Sequence, residues 1–440
     1  MSSRSDRLKY VYICSKVFTF AMAVTIAFLT YIRLDSTLPW NMDMILTEKT
    51  NALIQKLCNE TRFPVNVNTE EDWGRVDLNE SIHVISAYYV QERERVFIIG
   101  TKPFFEVSVI CQLWYTSFKD SGWNVQQTIA NVVAPIGATG YNFTSTIYEC
   151  KVETTEKRPE YVSIVTCSCD NPRNVLKVRD ASKPDGYQRR FTVCLSPVFQ
   201  YDNIFQMVEW IELNRILGAE KFVFYNYSTG ENVNKAIKYY MKLGLIDVIQ
   251  WKIPFSDIGR NIEYFAQKAA INDCIYRNKN VSEFIVNIDK DEYIIPHSYD
   301  ILTWSQLIDT FDKNYAGYLV RHSFFRLDWN LKNQNFSEKH FAEKYRLVTL
   351  THFEHEKKIW PPNHRSKYFA RAEVVEFGNV HEIPRGRIFN VPPELALLHH
   401  YRNIGKPKDK DKVLDFTVLI KYGDSLSKKV QKTWKAVSIA

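Results

Sequence analysis

The sequence predicts an α/β protein whose mostly parallel sheet is covered by helices on both faces, preceded by a small β-rich module and an N-terminal transmembrane helix. Three observations carry this. Beyond residue 190, short apolar strands alternate with helical patterns, the signature of parallel βαβ units. Between 80 and 190 the apolar runs are short, β-branched or aromatic, and separated by turn-like segments. Residues 10–32, YVYICSKVFTFAMAVTIAFLTYI, are apolar over a membrane-spanning length and are interrupted only by Lys16.

Composition sets the bounds. At 440 residues, 45% hydrophobic and 24% charged, the chain has room for two domains and a substantial core, which excludes a disordered or fibrous protein. The formal net charge is +7, but Lys and Arg are spread along the chain. Nucleic acid is therefore not the expected partner, and small anionic ligands are.

Taken in order, Arg4, Arg7 and Lys9 ahead of the apolar run place residues 1–9 in the cytosol and make 10–32 an uncleaved signal anchor of type II topology. Residues 33–78 are polar, carry Pro39 and Pro64, and read as a stem. The β-rich module is expected over 79–190, with strands at IHVISAYYV, RVFIIGT, EVSVICQLWYT, STIYECKVE and EYVSIVTCSC. Sequons at Asn59, Asn79, Asn142, Asn226, Asn280 and Asn335, together with seven cysteines beyond the anchor, fit a lumenal, disulfide-bonded chain.

After DGYQRR the period changes. FTVCLSPVF reads as a strand and DNIFQMVEWIELNRILG as an amphipathic helix with Gly218 as its C-cap. KFVFY, IDVIQW and SEFIVNID are the next strands, separated by helices at NVNKAIKYYMKLG and NIEYFAQKAAINDCIYRN. Residues 426–440 are expected to form a tail.

The chemistry gathers at FIVNIDKDEYIIP, where an apolar strand ends in Asp289, Asp291 and Glu292. In parallel sheets ligands sit at the carboxyl ends of the strands, so these carboxylates arrive at a binding rim. A D-x-D there can hold Mn²⁺ or Mg²⁺ through oxygen ligands, and such an ion can neutralise a diphosphate. By itself D-x-D is a common tripeptide that more often ends a strand in solvent. The mid-loop Gly and terminal Glu of an EF-hand are missing, and no P-loop, G-x-S-x-G or G-x-G-x-x-G occurs.

The series CLSPVF, EWIELNRILGAEKFVFYN, AINDCIYRN, FIVNIDKDEYIIP, RSKYF, GNVH and LHHYR, in that order from 194 to 402, resembles glycosyltransferase family 92. The resemblance implies a GT-A type domain over 191–425. It also implies a metal-dependent, inverting transfer of a hexose, galactose foremost, from a UDP-sugar to a glycan hydroxyl. Asp289 and Asp291 match the family's D-x-D as metal ligands, with Glu292 beside the donor. A further histidine ligand is expected from His381 or His400. His399 and His400 must point to opposite faces if this piece is a strand.

Rim geometry adds Ser196, Tyr225 and Asn226 as donor contacts, and Arg365 and Lys367 as partners of the diphosphate. The catalytic base is sought among Asp328, Glu354 and Glu356, between which the sequence leaves the choice open. Trp304, Trp329 and Trp360 read as core before they read as sugar platforms. The expected setting is the Golgi membrane. A membrane-anchored glycan-binding protein that kept the fold without turnover is the alternative.

Overall fold

The computed structural model describes residues 61–64, 72–79, 81–116, 122–136, 140–153, 157–168, 170–255, 261–329, 336–403, 405 and 411–439. The tail and anchor expected over 1–32 lie outside the described residues. Among the described residues no helix is long and apolar enough to cross a membrane.

Nine strands form the N-terminal module: β1 (Gly74–Arg75), β2 (His83–Val90), β3 (Arg95–Pro103), β4 (Ile110–Thr116), β5 (Trp123–Ile129), β6 (Asn131–Ile136), β7 (Phe143–Lys151), β8 (Tyr161–Val165) and β9 (Leu176–Asp180). Their order is β5-β4-β8-β9-β2-β3-β7-β6, with β1 paired to β2. The Cys111–Cys150 disulfide joins β4 to β7, which are not neighbours in that order, across a Cα separation of 6.2 Å. The sheet therefore folds over on itself, and Val84, Ile98, Leu113, Tyr148 and Ile164 fill the space between its layers. Part of the expected stem belongs to this module: Phe63 stacks on Trp123 with centroids 4.3 Å apart, and β1 pairs with β2.

The C-terminal domain begins with β10 (Arg189–Val198), then α1 (Ile204–Leu217), β11 (Lys221–Asn226), α2 (Glu231–Lys242), β12 (Ile246–Gln250), α3 (Gln267–Asn278) and β13 (Ser282–Asn287). These strands lie parallel in the order β12-β11-β10-β13, as the strand and helix alternation requires. Asn203 caps α1 by accepting from the Gln206 amide, and Gly218 ends it at φ 127° with its amide on the Asn214 carbonyl. The helix expected from 261 starts only at Gln267. Tyr264, Phe265 and Ala266 all take left-handed φ angles, a conformation that a continuing helix does not permit.

Beyond β13 come β14 (Glu292–Pro296), α4 (Trp304–Asp309), β15 (Gly317–Val320), β16 (His322–Phe325), α5 (Lys339–Lys344), β17 (Glu354–Glu356), β18 (Lys367–Arg371), β19 (Ile388–Val391), β20 (Ala396–Tyr401), β21 (Lys412–Leu414) and α6 (Thr417–Ile439). Antiparallel β18 and β15, then β19, complete a mixed seven-stranded sheet. The remaining five form a second sheet, β14-β20-β16-β17-β21. The chain thus leaves the main sheet at β13 and enters the second sheet at β14, and Ile288–Asp291 is the crossing.

Both faces of the main sheet are covered. Trp210, Ile211, Leu213, Val233 and Tyr240 pack under one face, joined by Tyr422, Leu426 and Val430 of α6. Residues 426–439 are therefore helix packed on the core rather than the expected tail. The other face meets α3 and, beyond it, Tyr88, Phe97 and Ile147 of the module. Burial of each such side chain contributes roughly 1.5–3 kcal/mol, which anchors the frame that holds the crossing in place. The Cys194–Cys274 disulfide ties β10 to α3 on this side.

Candidate active site

Asp289, Lys290 and Asp291 occupy the crossing at the carboxyl end of β13. The Trp210 indole donates to the Asp289 carbonyl at 2.9 Å and fixes the turn from below. Glu292 opens β14 opposite His400 of β20, and its carboxylate accepts from the Asp289 amide at 3.0 Å. Lys290 holds its Nζ 5.4 Å from the centre of the Tyr201 ring.

Charge balance comes from β18, which is antiparallel to β13. Lys367 is 0% exposed; its Nζ lies 2.8 Å from Asp289 Oδ2 and 3.3 Å from Glu292 Oε2. Burial alone would discharge all three groups. Lys367 outweighs it for Asp289, which is held well below the usual carboxylate range with help from Ser196 and His400. For Glu292 burial prevails over Lys367 and the pKa is raised. The lysine itself is raised, because Asp289 and Glu292 overcome the cost of its burial.

The remaining capacity is on the open side. The Asp289 and Asp291 side chains are 30% and 14% exposed. His400 Nε2 is 3.6 Å from Asp291 Oδ2 and its Nδ1 is 3.4 Å from Glu292 Oε1, so both ring nitrogens are buried yet make no hydrogen bond. Two carboxylates and an imidazole with spare lone pairs fit a divalent cation such as Mn²⁺. His381 donates Nδ1–H to the Ser366 carbonyl at 3.3 Å and is pushed down to about 4, by burial first and then by Lys367. It is neutral at physiological pH, the state a ligand requires. His399, on the opposite face of β20, turns away from the site.

Ser196 stands at the same rim. Its hydroxyl accepts from the Gln267 side chain at 2.8 Å and helps to keep Asp289 ionised. Asn226 ends β11, its amide donating to Thr229 Oγ1 at 3.1 Å. Tyr225 is not at the rim: it is 1% exposed, and its hydroxyl donates to Asp273 at 2.6 Å beneath the sheet. Lys367 is engaged by the carboxylates rather than free toward a diphosphate. Arg365 holds its guanidinium over Phe324 and Trp360, 5.6 and 5.8 Å from the ring centres.

Asp328 follows β16 and Glu354 opens β17, which pairs with the edge strand β21 of the second sheet. Asp328 forms a bidentate pair with Arg326, and Glu354 pairs with Lys412 at 3.2 Å. Both cations flank the Trp329 ring. Trp304 is core, donating to the Ile294 carbonyl.

Several residues at the site escaped the sequence reading. His322 stacks on Trp360 and lies 5.7 Å from the His400 ring, and burial, then His400 and Arg365, push it down to about 2. Phe199, Tyr227 and Phe265 cluster at the ends of β10 and β11, with Phe199 stacked on Phe265 at 4.7 Å. Asn272, expected from its place on the helix before the acidic strand to hold backbone rather than ligand, does so: it donates to the Gly378 carbonyl and accepts the Gly378 amide, which holds the loop bearing His381. The three rings of HSFF, His322, Phe324 and Phe325, were the available signal; the pairing of β16 with β20 was not.

The glycosyltransferase family 92 model matches residues 189–437, from the first strand of the main sheet almost to the end of α6. The chain belongs to glycosyltransferase family 92. Among curated relatives, the β-1,4-galactosyltransferase galt-1 of Caenorhabditis elegans is 32% identical over 117 residues, 26% of this chain and 27% of that protein. The glycosyltransferase family 92 protein F55C10.4 of the same organism is 26% identical over 132 residues, 28% of this chain and 24% of that protein. The matches thus span about a quarter of the length of these relatives. Among solved structures, S. aureus TarS in complex with UDP-GlcNAc aligns with TM-score 0.28 and 11% identity, covering 51% of this chain and 62% of that one. Glucosyl-3-phosphoglycerate synthase from Mycobacterium tuberculosis with Mn²⁺ and UDP aligns with TM-score 0.25 and 12% identity, covering 57% and 80%. Overlap this slight carries no argument; membership in family 92 rests on the match over 189–437.

Proposed function

We propose that the protein is a UDP-sugar-dependent hexosyltransferase, with galactose the first donor to test, acting on a glycan hydroxyl with inversion. The observation that supports this most is the pairing of Asp289, Asp291 and unbonded His400 around one opening at a strand end, with Lys367 beneath. Asp289, Asp291 and His400 would hold a Mn²⁺ ion, with His381 as a further candidate ligand. When bound there, the ion supplies positive charge to the departing nucleoside diphosphate.

The chain's own residues do the rest. Lys367 keeps Asp289 ionised by engaging its Oδ2 from beneath, and Glu292 holds the turn through the Asp289 amide. Ser196 and Asn226 stand where donor groups enter, and Phe199, Tyr227 and Phe265 offer ring faces beside them. Arg365, preset over Phe324 and Trp360, places a fork-shaped cation on the same face of the second sheet as His400. The acceptor enters over the ends of β16 and β17, where Trp329 offers a ring and Asp328 or Glu354 takes the hydroxyl proton.

The sequons and the disulfides support a lumenal setting, a type II anchor at 10–32 and a Golgi location. The test is UDP release from UDP-galactose by the purified protein with Mn²⁺, set beside UDP-glucose and UDP-N-acetylhexosamine. Release that needs metal and vanishes in Asp291→Ala supports the reading. Sugar binding without release by either protein points to a glycan-binding protein instead.

A further inference from the structure

We propose that His297, His399 and Asp415 form a second divalent-cation site, matched by its donor set to Zn²⁺, that staples the C-terminal helix to the second sheet. The three residues come from separate elements. His297 follows the last residue of β14, His399 lies within β20, and Asp415 stands just ahead of α6. One ligand atom from each falls in a cluster no more than 4.8 Å across.

The distances favour an ion over a simple hydrogen bond. His297 Nε2 and His399 Nε2 are 2.8 Å apart, and Asp415 Oδ2 is 3.5 Å from each. One N–H between the imidazoles satisfies that pair but leaves the carboxylate oxygen out of hydrogen-bond reach of both. Around a tetrahedral Zn²⁺ with bonds of about 2.0–2.1 Å, ligand atoms stand about 3.3 Å apart. Two of the three edges, at 3.5 Å, are within about 0.2 Å of that length, and the third needs to open by about 0.5 Å.

The surroundings suit a fixed site. The Asp415 carboxylate accepts the Thr417 amide through its other oxygen at 2.8 Å, which orients Oδ2 inward. His399 is buried, stacks on Phe325 with centroids 4.1 Å apart, and has no partner for Nδ1. His297 is 20% exposed and gives access from solvent, leaving a fourth position for water. Lys421 is the nearby cation, but its Nζ donates to the Pro296, Ser298 and Ile301 carbonyls and makes no ion pair with Asp415. His355, on the same face, is engaged through Nδ1 by the Glu356 carbonyl at 2.7 Å. The cluster shares no ligand with Asp289, Asp291 or His400, since His399 and His400 face opposite ways.

The test uses the full chain carrying Asp289→Asn and Asp291→Asn, which removes the other candidate metal site. After chelator treatment, Zn²⁺ alone is added and followed by metal analysis, thermal unfolding and the visible spectrum of the Co²⁺ form. We expect one Zn²⁺ per chain, a rise in Tm of roughly 5 °C near saturation, and the visible bands of four-coordinate Co²⁺. His297→Gln and Asp415→Asn, each added to that background, should weaken Zn²⁺ binding by about 100-fold or more while a cooperative melt remains. If either variant does not fold, the other decides. Absence of Zn²⁺ uptake in the background protein, or uptake that survives both substitutions, overturns the proposal. None of these readouts involves sugar transfer, so the proposal and the transferase reading fail separately.

Discussion

Two regions of this molecule bury carboxylates against cations, and they do so to different ends. Under the sheet, Asp273 of α3 accepts from Tyr88 of the module at 2.5 Å and from Tyr225 of β11 at 2.6 Å, and pairs with Arg277 at 3.0 Å. At the rim, Asp289 and Glu292 share Lys367 while Asp291 and His400 face the open side with lone pairs to spare. The first network is closed, since both oxygens of Asp273 are occupied by protein donors. The second is compensated in charge yet incomplete in hydrogen bonding. A buried carboxylate therefore marks a site only where it keeps coordinating capacity that the protein does not use.

The comparison can be broken at its open end first. Asp291→Ala should lower turnover of UDP-galactose by about 10²–10³-fold or more with little change in the unfolding midpoint. A variant that lost stability instead would make the rim as structural as the closed network. Asp273→Asn should do the reverse, costing about 3 kcal/mol in urea unfolding because the buried charge that Tyr88, Tyr225 and Arg277 all bond is removed, with donor binding retained in the folded protein.

Acid sharpens the second prediction. Burial disfavours ionised Asp273, but Arg277 outweighs it and the folded pKa is depressed. The stabilisation is then fully present above the unfolded value of about 3.9 and is lost as pH falls through the lower folded value. Urea midpoints of wild type and Asp273→Asn should converge below about pH 4 and stay apart at neutral pH.

Smaller effects follow. Tyr88→Phe removes one hydrogen bond to a charged acceptor and should cost about 1.5–3 kcal/mol, a loosening of the module rather than of the site. Asp328→Asn weakens the bidentate pair between a half-exposed carboxylate and the buried Arg326, which keeps its contacts with Glu356 and the Gly405 carbonyl, and should cost about 1–3 kcal/mol. Any large loss of kcat in that variant would then assign Asp328 to proton transfer, and the same assay on Glu354→Gln tests the other candidate.

Much of the catalytic domain was legible because local period governs it. The strands at 189–198, 221–226 and 282–287 and the helix at 204–217 follow from apolar spacing and caps, and the position of Asp289 follows from the rule for parallel sheets. His399 and His400 were separable by strand period alone. Tyr225 was misplaced because strand period tells which side chains share a face but not which face meets the module. Lys367 was read as a phosphate ligand because its neighbour across the β13–β18 pair, Asp289, is 78 residues away. The start of α3 was misread because apolar spacing does not report the left-handed turn at 264–266.

By itself the sequence determined the alternation of strands and helices, the acidic strand end and the family, since these depend on neighbours close along the chain. Tertiary structure decided what the charged side chains do. It set Lys367 against the D-x-D, sealed Asp273 beneath the module, and brought His297, His399 and Asp415 together from three elements. The physical reason is that a buried charge takes its state from groups within a few ångströms, and here those groups come from distant parts of the chain.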